Sequence, residues 1–105
     1  MRGVAYRIRF TRQADEHIGT LTARRRARLI DSIVKQLIHE PAVETRNRKP
    51  LRSDKEPFIA PWELRVDDMR VYYDVHEKPE PTVVIAAVGT KDHDRLMIGG
   101  KEIEP

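Results

Sequence analysis

Residues 61–75 read PWELRVDDMRVYYDV, and the fold turns on this stretch. Two alternating runs, Trp62–Val66 and Met69–Val75, flank Asp67-Asp68. Alternation at a period of two marks half-buried strands, and Asp tolerates turn conformations. A two-residue loop pairs Val66 with Met69, Arg65 with Arg70, Leu64 with Val71, Glu63 with Tyr72 and Trp62 with Tyr73. Trp62, Leu64, Val66, Met69, Val71, Tyr73 and Val75 then share one face. A slip of one residue would move that apolar set to the wrong side. The opposite face holds Glu63, Arg65, Arg70, Tyr72 and Asp74.

Downstream, HEKPEP (76–81) connects to TVVIAAV (82–88), a run apolar on both faces that reads as a central, buried strand ended by Gly89. TKDHDRLMIGG follows as a turn and a short tail. Upstream, VAYRIRF (4–10) alternates as well, with Val4, Tyr6, Ile8 and Phe10 on one side and Arg7 and Arg9 on the other. Thr11 is placed to cap a short helix over Arg12–Ile18, closed by Gly19. Thr20 or Thr22 caps a longer helix reaching about Glu40, where Pro41 stops it. Its apolar stripe is Leu29, Ile30, Ile33, Val34, Leu37 and Ile38. Residues 41–61 contain Pro41, Pro50, Pro57 and Pro61 and read as a long ordered connection, a length often associated with function.

The resulting order is β-α-α-β-β-β. It is an α+β class, with an N-terminal helical hairpin packed on one face of a mostly antiparallel four-stranded sheet. The 105 residues make a single domain, 1–105. There is no apolar run long enough for a membrane span. The opening MRGVAYRIRF lacks a signal-peptide apolar region, which argues against secretion. The absence of cysteine removes disulfides, thiolate metal sites and cysteine nucleophiles, and fits a reducing cytoplasm.

Charge is uneven. Lys and Arg number 20 against 17 Asp and Glu, a net of +3, and the excess sits in the first half of the chain. Most of the cations are Arg, whose planar fork suits phosphate. The most informative pair is Arg65–Arg70. Like charges directly opposite in a sheet are unfavourable, so something must offset them. Glu63 and Asp74, diagonal on the same face, would make a surface ion-pair cluster. A bound phosphate would make an anion site instead, with Tyr72 beside it to stack a base. RNRKPLR (46–52) adds Arg46, Arg48, Lys49 and Arg52 as a basic edge just before the hairpin. RRRAR (24–28) wraps around a helix N-terminus, where cations oppose the dipole and call for an acidic partner. His93, in GTKDHDR, follows a strand end and can work as acid or base near neutral pH. His17 and His39 belong at helix C-termini, where positive charge is welcome. No histidines stand at metal-ligand spacing, and no cofactor motif is present.

The chain resembles the RelE/ParE-type toxins of bacterial toxin–antitoxin modules over nearly its whole length. The likeness rests on the element order, on the PWELRVDDMRVYYDV hairpin and on the VVIAAVGTKDHDRL ending. It implies a small toxin whose sheet face is the working surface. In the branch that cuts mRNA on the ribosome, the 2′-hydroxyl attacks the adjacent phosphate while basic residues stabilise charge and a base takes the proton. The matching positions here are Arg65, Arg70 and Lys91, with His93 or Glu63 as proton acceptor. Three departures stand out. Two lysines of some members fall on Pro61 and Glu63, a C-terminal tyrosine falls on or near Met97, and the glutamate of another subgroup falls on Lys49.

The resemblance therefore leaves open a ribosome-dependent mRNA endoribonuclease that inhibits translation, a ParE-like protein that binds DNA gyrase, and a degenerate member that binds only its antitoxin. Expected partners are a cognate antitoxin, and the ribosome with mRNA or else gyrase. Acidic antitoxin residues are expected on Arg24, Arg25, Arg26 and Arg28.

Overall fold

The computed structural model describes residues 4–51, 60–99 and 101–103. Among them the elements run β1 (Arg7–Phe10), α1 (Arg12–Gly19), α2 (Ala23–Leu37), β2 (Arg48–Pro50), β3 (Trp62–Val66), β4 (Met69–His76), β5 (Thr82–Asp92), β6 (Arg95–Ile98) and β7 (Lys101–Ile103). The strands form one sheet in the order β2-β3-β4-β5-β6-β7, with β1 pairing β5. The β1–β5 pair is parallel, and the other described pairs are antiparallel.

The β3–β4 hairpin has the register read from the alternation, from Trp62 opposite Tyr73 to Val66 opposite Met69. Asp67 turns the chain at φ 57°, in the left-handed region that short polar side chains tolerate. Thr11 and Thr22 cap the helices, accepting hydrogen bonds from Ala14 N at 3.1 Å and Arg25 N at 3.3 Å.

Among the described residues the sheet has seven strands rather than the expected four. Three short strands make the difference. β2 forms inside the segment expected to be a connection and pairs with the open edge of β3. It can contain Pro50 because it is itself an edge. Gly89 does not end β5, which continues to Asp92, and β6 and β7 fold back along it as successive hairpins. Gly89 is required there for another reason: a Cβ would lie 2.5 Å from the Met97 carbonyl oxygen and 2.8 Å from Ile98 Cγ1.

Both helices cover one face of the sheet. Ala14, Ile18, Leu29, Ile33 and Leu37 meet Leu64, Val71, Tyr73, Val83 and Ile85, all buried. Burial of this kind stabilises by roughly 25 cal/mol per Å2 of apolar surface. Trp62 stacks on Tyr73 at 6.2 Å, and the Tyr73 hydroxyl donates to the Pro41 carbonyl at 2.7 Å. That hydrogen bond lies in the core, where burial pushes the phenol pKa upward. The expected stripe on α2 is narrower than its sequence: Val34 is 44% exposed. No described helix is long and apolar enough to cross a membrane.

α1 also completes the sheet edge. β1 pairs β5 as far as Ile85, and β6 begins pairing at Gly89. A bulge leaves Ala86 without an opposite residue on β4. Thr11 fills the gap, donating its N–H to the Ile85 carbonyl at 3.0 Å and its hydroxyl to the Ala86 carbonyl at 3.1 Å. His17 Nδ1 accepts the Val88 N–H at 3.1 Å.

Candidate nucleic-acid interface

Residues paired across a sheet share a face, so the register sorts the side chains. One row on the helix-free face runs Arg65, Arg70, Gly89, Ile98, Lys101. The next row toward the sheet centre runs Lys49, Glu63, Tyr72, Ala87. Lys91, two residues beyond Gly89, lies on the same face opposite Leu96. Cations at Lys49, Arg65, Arg70, Lys91 and Lys101 therefore gather on one surface, with Glu63 as the carboxylate among them.

The Arg65–Arg70 juxtaposition is real, and it is relieved asymmetrically. Arg65 Nε lies 3.3 Å from Glu63 Oε1, and the Glu63 side chain is only 8% exposed. Arg70 turns the other way, donating from Nη1 to the carbonyl oxygens of Asp67 at 3.0 Å and Met69 at 2.9 Å. Asp74, expected to help, is engaged elsewhere. It accepts the Val75 N–H at 2.8 Å and faces His76 Nε2 at 3.3 Å. Two partly exposed guanidinium groups thus diverge from one sheet row.

Lys91 is exposed near the end of β5, and its N–H donates to the Asp68 carbonyl at 2.7 Å. This ties the β5 end to the hairpin tip that also holds Arg70. His93 occupies the β5–β6 turn at φ 56°, with its side chain 94% exposed and Nε2 3.7 Å from Asp92 Oδ1. It projects into solvent at the rim of the basic row.

Three expectations for this surface are corrected. Arg48 is 8% exposed and does not face phosphate. Its Nη1 donates to the carbonyls of Gln36 at 2.5 Å and Glu40 at 2.8 Å, and its Nε to Thr45 Oγ1 at 3.4 Å. It caps the end of α2, which stops at Leu37 rather than at Glu40. Tyr72 lies on the expected face but is 2% exposed, packed with Ala60 and Ala87 and flanked by Leu51, Leu96 and Ile98. Its ring is not open to a base. The basic run on α2 already has its acidic partners inside the chain. Arg25 pairs with Asp68, and Arg28 pairs with Asp67 at 3.3 Å. Arg26 donates to the carbonyls of Ile18 at 3.4 Å and Leu21 at 3.1 Å. Arg24 stays exposed.

Of the remaining basic-edge residues, Arg46 is exposed, Lys49 is half-buried in β2, and Arg52 lies outside the described residues. His17 does stand in the last turn of α1, but not as a cation. Desolvation pushes its pKa below the usual histidine value, and its Nδ1 is an acceptor. Sequence reading missed this seam and the Asp67–Asp68 clamp on α2. An i,i+3 or i,i+4 pattern signals neither contact, because each joins elements far apart in the chain.

No protein-family model matches the chain, and no curated protein matches it significantly in sequence. Among solved structures it is similar to a chain of the toxin–antitoxin complex RelBE2 from Mycobacterium tuberculosis. The TM-score is 0.70 and the identity 28%, covering 86% of this chain and 95% of that one. The two-helix layer and the hairpin on a mostly antiparallel sheet, together with this likeness, give the chain the α+β fold of a RelE-type toxin.

Proposed function

We propose that the chain is the toxin of a toxin–antitoxin module and acts as a ribosome-dependent mRNA endoribonuclease. The observation that carries this reading is the helix-free sheet face. There Arg65, Arg70 and Lys91 gather at the hairpin end, and among the described residues Arg70 is held by carbonyls and by no carboxylate. The substrate is a phosphodiester bearing a 2′-hydroxyl. The 2′-oxygen bonds to phosphorus, the P–O5′ bond breaks, and the leaving 5′-oxygen takes a proton from water, so that a cyclic phosphate and a 5′-hydroxyl remain. Arg65 and Arg70 stabilise the charge on the non-bridging oxygens. Lys91 holds the neighbouring phosphate. His93 takes the 2′-hydroxyl proton, its exposure leaving it free to meet a bound strand. Arg46 and Lys49 track the backbone along the β2 side.

The partner in this reading is an antitoxin that covers the toxin, and the target is mRNA in the ribosomal A site. The test is cell-free translation with added protein, mapping new mRNA ends by primer extension, with Arg70→Ala alongside. Cuts at ribosome-occupied codons that vanish in the variant support the nuclease. Intact mRNA removes it.

A second reading, inhibition of DNA gyrase without cleavage, draws on one observation. Glu63 occupies a position where some nuclease members carry lysine, and here it neutralises Arg65. A supercoiling assay tests it.

A further inference from the structure

We propose that the helix-free face carries a second phosphate-binding tract, Arg7 and Arg9 on β1, so that it grips an extended single strand of RNA on both sides of the Tyr72 centre. This rests on the nuclease reading and deepens it by naming the length and path of the ligand.

The placement follows from the register. Arg7 pairs with Thr82 and Arg9 with Val84 in the parallel β1–β5 ladder. Val84 stands opposite Asp74, on the face of Tyr72 and Arg70. Ile8 and Phe10 pack into the helix-covered core, so Arg7 and Arg9 must project from the helix-free side. Both are exposed, and they border a cavity of about 290 Å3 lined also by Pro79, Glu80 and Thr82.

The tract is separate from the Arg65–Arg70 row. The buried Tyr72, Ala87 and Ala60 lie between them. Two strand spacings and the stretch of β5 from Val84 to Gly89 put Arg9 roughly 19 Å from Arg70. One phosphate cannot touch both, whereas a strand of several nucleotides can. Arg7 Nη1 lies 3.3 Å from Glu80 Oε1, with the two side chains 73% and 56% exposed. Such an exposed pair is weak and opens readily to a competing phosphate. Among the described residues Arg9 forms no ion pair. Charged side chains on an edge strand also discourage aggregation, and that simpler role predicts no dependence on RNA length.

The experiment measures binding of single-stranded RNA of 12 and of 4 nucleotides across a salt series. It uses wild type, Arg7→Gln/Arg9→Gln, Glu80→Gln and Arg65→Ala/Arg70→Ala, with a thermal midpoint for each. The β1 double variant should weaken the 12-mer about tenfold, leave the 4-mer unchanged, and reduce the salt slope by about 1.4, as expected for two phosphate contacts on a single strand. Glu80→Gln, which frees Arg7, should tighten the 12-mer. Arg65→Ala/Arg70→Ala should weaken both lengths. The second tract is overturned if Arg7→Gln/Arg9→Gln binds the 12-mer like wild type, if Glu80→Gln has no effect, or if wild type does not bind the 12-mer. Loss only in Arg65→Ala/Arg70→Ala would overturn this tract while leaving the hairpin end in place. The nuclease reading itself stands or falls on the translation assay.

Discussion

Arg25, in the first turn of α2, is ion-paired with Asp68 at the tip of the β3–β4 hairpin. The helix begins with cations against its own dipole, and the hairpin turn supplies the missing negative charge. The same turn offers its carbonyls to Arg70 and to the Lys91 N–H. Side chains of the helical layer and backbone of the candidate site thus meet at two consecutive aspartates.

The pairs at this clamp are partly exposed, so their individual worth is small, about 0.5 kcal/mol each. A double-mutant cycle on Arg25→Ala and Asp68→Ala should give coupling of that order in urea denaturation, shrinking in high salt. Coupling indistinguishable from zero at low salt would show that the pair does not hold the layer.

Arg48→Ala should be far more damaging. It removes a buried guanidinium from the carbonyls of Gln36 and Glu40 and leaves the end of α2 uncapped. A loss of about 2–3 kcal/mol is expected, since hydrogen bonds to charged groups are worth about 1.5–3. Lys should not rescue it, because a point charge cannot span both carbonyls and Thr45 as a planar fork does. Denaturation midpoints for the Ala and Lys variants check this; a stable Ala variant with weakened RNA binding would return Arg48 to the nucleic-acid surface.

Gly89→Ala should destabilise the β5–β6 pairing by about 1–3 kcal/mol, the usual cost of overpacking. The new methyl would collide with the Met97 carbonyl, which is backbone and cannot swing away. Amide exchange should quicken in β6 and β7 before it does in the β3–β4 hairpin. Uniform protection in the variant would contradict this.

His17 makes stability depend on pH. Its folded pKa is lowered by desolvation from the ordinary value of 6.5. Between the folded value and 6.5 the unfolded chain binds more protons, so stability rises with pH there. The contribution is complete above 6.5, declines as pH falls below it, and levels off beneath the folded pKa. Protonation would also cost the Val88 N–H its acceptor. His17→Gln should flatten the stability profile just below pH 6.5, as read from urea midpoints. An unchanged slope would place the dependence elsewhere.

The hairpin register, the Thr11 cap and the division of β3 and β4 into two faces were legible in the sequence, while the second cap was narrowed to Thr20 or Thr22 and the structure selects Thr22. Alternation, threonine caps and the Asp-Asp turn are local signals, complete within a few residues. β2, β6 and β7 were not legible, because a three- or four-residue strand carries too little alternation to be seen alone. Each exists by pairing with a neighbour already in place. For Tyr72 the register assigned the correct face. Its burial depends on Ala60, Leu96 and Ile98 reaching that face from other elements.

By itself the sequence determined the two helices, the hairpin and a row of opposed arginines, since periodicity and turn chemistry act between near neighbours. Which cations remain available was decided by the tertiary structure alone. Arg25 and Arg28 are taken by the hairpin aspartates, Arg26 by the end of α1, and Arg48 by the end of α2. Arg9, Arg46 and Lys91 stay exposed. The reason is distance along the chain: the carboxylates and carbonyls that claim a guanidinium come from other elements, and only folding brings them within reach.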